Sequence, residues 1–131
     1  MGHPLSSGQD TVSIQFLDAF AAAWSRHDTD AILAAMTPDC VFLQSAGTTV
    51  DGVRATGQEE VRRAIDSVFA TFPDARWNHP SHFVAGNKGV SEWTFTGTGS
   101  AGQVEVLGCD LFVFRDGLIA VKSSFRKFRT T

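Results

Sequence analysis

Residues 107–122 read LGCDLFVFRDGLIAVK, and the fold turns on how this stretch alternates. Successive side chains on a strand point to opposite faces. With 103–115 as one strand, Val104, Val106, Gly108, Asp110, Phe112 and Phe114 share a face, and Glu105, Leu107, Cys109, Leu111 and Val113 share the other. Both faces are apolar, which predicts a central strand or one whose outer face is covered in a dimer. Asp110 then stands among phenylalanines. A carboxylate buried without partners is costly, so Asp110 is either a solvated or paired structural group or the centre of a cavity.

The next strand decides between these readings through its register. A two-residue turn at Asp116–Gly117 places Val121 and Ser123 on the face of Asp110. A three-residue Arg115–Asp116–Gly117 loop with a left-handed Gly117 places Ala120, Lys122 and Ser124 there instead. Lys122 would then sit directly across from Asp110 as its counter-ion. One residue of register turns every side chain over, and the sequence leaves both arrangements open.

Upstream, DTVSIQFLDAFAAAWSR (10–26) carries Ile14, Phe16, Leu17, Phe20, Ala21 and Trp24 at helical spacing, with Asp10 as N-cap. A short helix follows at 29–36, started near Asp28 or Thr29 and stopped by Pro38. CVFLQSA (40–46) reads as a strand and GQEEVRRAIDSVFATFP (57–73) as a third helix. Strands are expected at 76–85, 89–98, 103–115 and 118–128, separated by GNKG, GTGSAG and RDG turns. In 89–98, Trp93 and Phe95 point one way and Glu92, Thr94 and Thr96 the other. The plan is α+β, with helices against one face of a curved antiparallel sheet.

The chain has 131 residues, 43% hydrophobic and 19% charged, with a formal net charge of −3. That describes one globular domain over 10–131 after a loose, flexible leader at 1–9. An acidic balance gives no footprint for nucleic acid. No apolar run approaches the roughly 20 residues of a membrane span, and the N-terminus has no hydrophobic signal stretch. With two cysteines, Cys40 and Cys109, a cytoplasmic protein with reduced thiols is expected.

The order of elements, with HDTDAILAAMTPDCVF, SEWTFTGT and GCDLFVFRDGLIAVK in these places, resembles the SnoaL-like polyketide cyclases and ketosteroid isomerases of the nuclear transport factor 2-like superfamily. The resemblance spans about residues 10–128. It implies a cone in which the sheet curls round the first helix and encloses a deep apolar pocket, and it implies a homodimer. The isomerases' oxyanion tyrosine falls on Phe20, their general-base aspartate on Gln44, and their protonated aspartate on Asp110. Only the last keeps its chemistry, and the chain has no tyrosine at all. Steroid isomerisation by the familiar route is therefore not expected.

The candidate site is accordingly Asp110 for proton transfer, with His79 or Lys122 assisting and Gln44 orienting a substrate oxygen. His79 and His82 lie three apart, so on a regular strand at most one enters a pocket; Pro80 between them can break the alternation. Phe16, Phe20, Trp24, Trp93, Phe95, Phe112 and Ser124 are expected to line the pocket, since aromatic walls with few polar groups make such cavities. The histidines lack a third metal ligand, so neither metal nor cofactor is expected. The two functions that follow are a cofactor-free isomerase, cyclase or lyase on a small apolar oxygenated molecule, and a non-catalytic ligand-binding or dimerisation module.

Overall fold

A computed structural model describes residues 10–130; the leader at 1–9 lies outside the described residues. Helix α1 (Ile14–Ser25) buries Leu17, Phe20, Ala23 and Trp24. Of the expected stripe, Leu17, Phe20 and Trp24 are buried, Phe16 and Ala21 are half-buried, and Ile14, in the first turn, is exposed. The helix starts at Ser13, whose hydroxyl accepts the Phe16 N–H at 3.0 Å, and not at Asp10. Asp10 instead accepts the backbone N–H of Asp116 at 3.1 Å, tying the chain to the last hairpin. Helix α2 (Thr29–Ala34) is capped by Asp28, which accepts the Ala31 N–H at 3.1 Å. It ends before Pro38, which lies within strand β1 (Met36–Leu43).

Strand β1 therefore begins four residues earlier than expected. Pro38 and Asp39 are both exposed, and they sit where the pairing of β1 shifts register between Met36 and Val41. An irregular stretch is where a residue without an N–H can be accommodated in a sheet. Strand β2 (Arg54–Thr56) was not anticipated; three residues are too few for an alternation to register. Helix α3 (Gly57–Thr71) buries Val61 and Ile65. Its Gln58 amide donates to the carbonyls of Leu33, Met36 and Thr37 at 3.1–3.2 Å, fastening α3 to the start of β1.

Strands β3 (Arg76–Ala85), β4 (Lys88–Gly99), β5 (Gly102–Arg115) and β6 (Leu118–Arg126) form an antiparallel meander. The six-stranded sheet has the order β2-β1-β6-β5-β4-β3, with β1 parallel to β6. The sheet curves round the three helices, an α+β cone. Strand β5 is central, and its burial alternates as the sequence requires: Val106, Asp110, Phe112 and Phe114 face inward and are buried. Its outer face is open, with Leu107 60% and Leu111 44% exposed. No helix among the described residues is long and apolar enough to cross a membrane.

Two backbone irregularities set the inner face. At the last hairpin, Asp116 and Gly117 both have positive φ, 55° and 73°, and Arg115 pairs with Leu118. This is the two-residue turn, whose twist suits a hairpin. Alone it would turn Lys122 outward. However, the pairing runs from Phe114–Ile119 to Val113–Val121, leaving Ala120 as an extra residue. That bulge inverts the parity, so Lys122 and Ser124 face inward with Asp110. In β3, His79 (φ 55°) and Pro80 form a second bulge between the Asn78–Thr94 and Ser81–Glu92 pairs.

Candidate functional site

Asp110 is 5% exposed and Lys122 4% exposed, and both lie in the apolar interior. Lys122 Nζ donates to Asp110 Oδ1 at 3.0 Å and to Ser124 Oγ at 2.7 Å. Ser124 Oγ in turn donates to the same Oδ1 at 2.6 Å, while Trp93 Nε1 donates to Oδ2 at 3.0 Å. Three donors thus meet one carboxylate, so Asp110, Lys122, Ser124 and the Trp93 indole N–H each have a partner. In register it is Ser124 that stands opposite Asp110, and Lys122 stands opposite Phe112. The expected direct pairing is replaced by a diagonal one, within reach of a long side chain.

The ammonium of Lys122 lies between two rings, 4.4 Å from the Trp24 centroid and 4.6 Å from that of Phe42. Burial lowers its pKa from the ordinary value, and the attraction and hydrogen bond of Asp110 oppose that shift only in part. Lys122 is therefore closer to neutrality than a solvated lysine. That is a condition for proton transfer near neutral pH.

Beside this cluster is a cavity of about 130 Å³, walled by Trp24, Phe42, Trp77, Trp93, Phe95 and Val68, with Gln44, Lys122, Ser124 and Arg126 among its polar groups. Asp110 does not line it. It lies behind Lys122 and Ser124 and borders a smaller void of about 10 Å³ with Phe20, Phe112 and Ser91, room for about one water molecule. Of the cluster, Lys122, Ser124 and Trp93 reach the larger cavity, and Asp110 is hydrogen-bonded to all three from behind.

Of the other expected wall residues, Trp24, Trp93, Phe95 and Ser124 line the larger cavity, and Phe20 and Phe112 the smaller. Phe16 lines neither and packs on the main core. Gln44 follows β1 at the cavity edge, its backbone N–H donating to Val53 O at 2.9 Å. His79 is exposed at the β3 bulge and borders neither cavity. The bulge that turns it out puts Trp77 and His82 on one inner face, so the inward histidine is His82. Its side chain is 2% exposed, with Nδ1 2.7 Å from Ser91 Oγ and Nε2 2.8 Å from Asp18 Oδ1.

The expected site set did not include Trp77 or Arg126, which line the larger cavity, or the role of Trp93 as a donor. The last had a signal: a buried indole N–H requires an acceptor, and Asp110 is the carboxylate on the adjacent strand at the right parity. Burial raises the pKa of both Cys40 and Cys109, which leaves them poor nucleophiles. Among the described residues no three His, Cys, Asp or Glu side chains converge as a metal site.

A family model described as a SnoaL-like domain matches residues 17–122. No curated protein matches by sequence. Among solved structures, one described as a candidate polyketide cyclase from Xanthomonas campestris pv. campestris is 17% identical, with TM-score 0.75, covering 86% of this chain and 88% of that one. A protein with a ketosteroid isomerase-like fold from Catenulispora acidiphila, in complex with trimethylamine, is 18% identical, with TM-score 0.75, covering 87% and 86%. TerC, co-crystallised with polyporic acid, is 19% identical, with TM-score 0.74, covering 87% and 90%. At these identities the likeness is one of fold.

Proposed function

This chain belongs to the SnoaL-like domain family, and we propose that its cavity binds a small, apolar, oxygenated molecule on which Lys122 performs cofactor-free proton transfer. The observation that carries the reading is the buried Asp110–Lys122–Ser124 cluster abutting an aromatic-walled cavity. In an isomerisation, the free-amine form of Lys122 takes the proton next to a carbonyl, the electron pair moves to the carbonyl oxygen, and Gln44 hydrogen-bonds the resulting enolate. Lys122 then returns the same proton to a carbon further along the conjugated system. Asp110 acts through Lys122 as a positioning residue, together with Ser124 and Trp93.

The family's cyclisations and eliminations begin with the same proton abstraction, so the cluster is compatible with an isomerase, cyclase or lyase. The protein is proposed to act in the cytoplasm as a homodimer, with the exposed outer face of β5 as the contact. Support for these points is the pair of unbridged cysteines and the apolar Leu107 and Leu111. Light scattering on the purified chain decides the oligomeric state.

A second reading is a ligand-binding module without chemistry. It is favoured by the tight coordination of Lys122, which offers a ligand little beyond its existing partners. Deuterium incorporation into cyclohex-2-enone in D2O, followed by NMR, separates the two. The wild-type protein is expected to accelerate exchange and Lys122→Met to abolish it. Exchange at the buffer rate with the wild type would leave only the binding module.

A further inference from the structure

Among the described residues, the ionisable side chains on the wall of the larger cavity are Lys122 and Arg126, both basic, and no carboxylate lines it. Lys122 is already answered from behind by Asp110 at 3.0 Å. Arg126 is not: it takes part in none of the ion pairs among the described residues. Its one hydrogen bond there runs from Nε to Ser45 Oγ at 3.3 Å, which leaves both terminal nitrogens unused. The guanidinium carbon stands 4.4 Å from the Phe95 centroid and 5.7 Å from that of Phe72. A ring platform of this kind orients the planar fork without consuming its donors.

Arg126 is exposed and lies at the end of β6, so it sits at the rim while the indoles form the body of the cavity. A second unused donor belongs to the wall: Trp24 Nε1 is buried with no hydrogen-bond partner among the described residues. The volume of about 130 Å³ is close to that of an apolar cavity known to admit one benzene ring, about 150 Å³.

We infer that the cavity takes a small aromatic carboxylate, its ring among Trp24, Trp77 and Trp93 and its carboxylate on the Arg126 fork. The inference rests on the cavity being the ligand site, as proposed above, and is independent of whether Lys122 moves a proton. A carboxylate supplies the missing counter-charge, and its two oxygens match the two free guanidinium nitrogens. The neutral amide of the same shape supplies neither.

The test uses the protein's own reporters, since its 3 tryptophans all line the cavity. The full chain is titrated with benzoate and with benzamide while tryptophan fluorescence is followed. Benzoate is expected to bind about tenfold more tightly or better, the scale of a charge-assisted bidentate contact. Arg126→Gln should bring benzoate down to the affinity of benzamide and leave benzamide unchanged; Arg126→Lys, which keeps the charge but not the fork, should retain part of the preference. Equal binding of the two ligands by the wild type overturns the carboxylate class and leaves the cavity reading standing. A benzoate preference that survives in Arg126→Gln overturns the role of Arg126. Silence towards both ligands overturns the inference and the cavity reading together.

Discussion

Lys122 reaches Asp110 on the diagonal: Nζ and Oδ1 are 3.0 Å apart, although Lys122 stands opposite Phe112 in the sheet. The pair is buried on both sides, so neither charge can be rescued by water if the other is removed. Asp110→Asn and Lys122→Met are each expected to lower stability by about 3–5 kcal/mol, the usual cost of breaking a buried pair. The double variant should lose well under the sum, because it leaves no orphan charge. Urea denaturation of the four proteins measures this, and strictly additive losses would show that the two residues are not coupled.

The Lys122 amine is expected to titrate below its ordinary value of 10.5, because desolvation dominates. Over the window between its lowered pKa and 10.5 the folded chain binds fewer protons than the unfolded one. Stability should therefore rise with pH across that window as far as this group is concerned. NMR of the lysine Cε–Hε signals, assigned with Lys122→Met, reads the value directly. A titration at or above 10.5 contradicts the burial seen here.

Gly108 is the one position on β5 where the site forbids a side chain. A Cβ there would lie 2.3 Å from Trp93 Cζ3 and 2.5 Å from the Phe125 carbonyl oxygen. One neighbour is backbone, and the other is the indole that donates to Asp110, so neither yields without loss. Gly108→Ala is expected to cost about 1–3 kcal/mol, as overpacking does, and to shift the tryptophan emission. An unchanged midpoint and spectrum would show that Trp93 is freer than its hydrogen bond implies.

His82 joins α1 to the sheet, bridging Asp18 and Ser91. His82→Ala should cost about 1–3 kcal/mol, through the buried Ser91 hydroxyl it leaves unsatisfied. His79→Ala, at the exposed bulge, should change stability by no more than about 0.5 kcal/mol. Thermal unfolding of the two variants compares them. Equal effects would mean that the bulge does not select between the histidines.

Asp74 fastens the segment after α3 to β4, accepting the Thr98 backbone N–H at 2.7 Å and its hydroxyl at 2.8 Å. The backbone bond first, and then the hydroxyl, lower its pKa from 3.8. With a lowered carboxylate pKa, the stabilisation is complete above 3.8 and disappears as pH falls through the folded value. The melting temperatures of wild type and Asp74→Asn should differ at neutral pH and converge in acid. A difference that persists in acid would assign the effect to something other than the ionised carboxylate.

The strands of the meander and the parity within β5 were legible from the chain alone. Alternation is a property of the extended backbone, and an aspartate in phase with Phe112 and Phe114 must turn inward with them. The same logic placed Trp93 and Phe95, and helical spacing placed Leu17, Phe20 and Trp24. Where alternation breaks, the sequence stops being decisive. A two-residue turn at Asp116–Gly117 taken alone sends Lys122 outward, and one extra residue at Ala120 brings it back. The His79–Pro80 bulge likewise withdraws His79 and turns His82 in.

Nothing local to Ala120 marks it as a bulge. It is specified by what the inverted strand gains: Lys122 against Asp110 and between Trp24 and Phe42, contacts from parts of the chain far apart in sequence. The sequence by itself thus determined which residues of each strand share a face. Only the tertiary structure decided which face of β6 meets Asp110, because that choice is made by long-range burial and charge pairing, which no short window of residues contains.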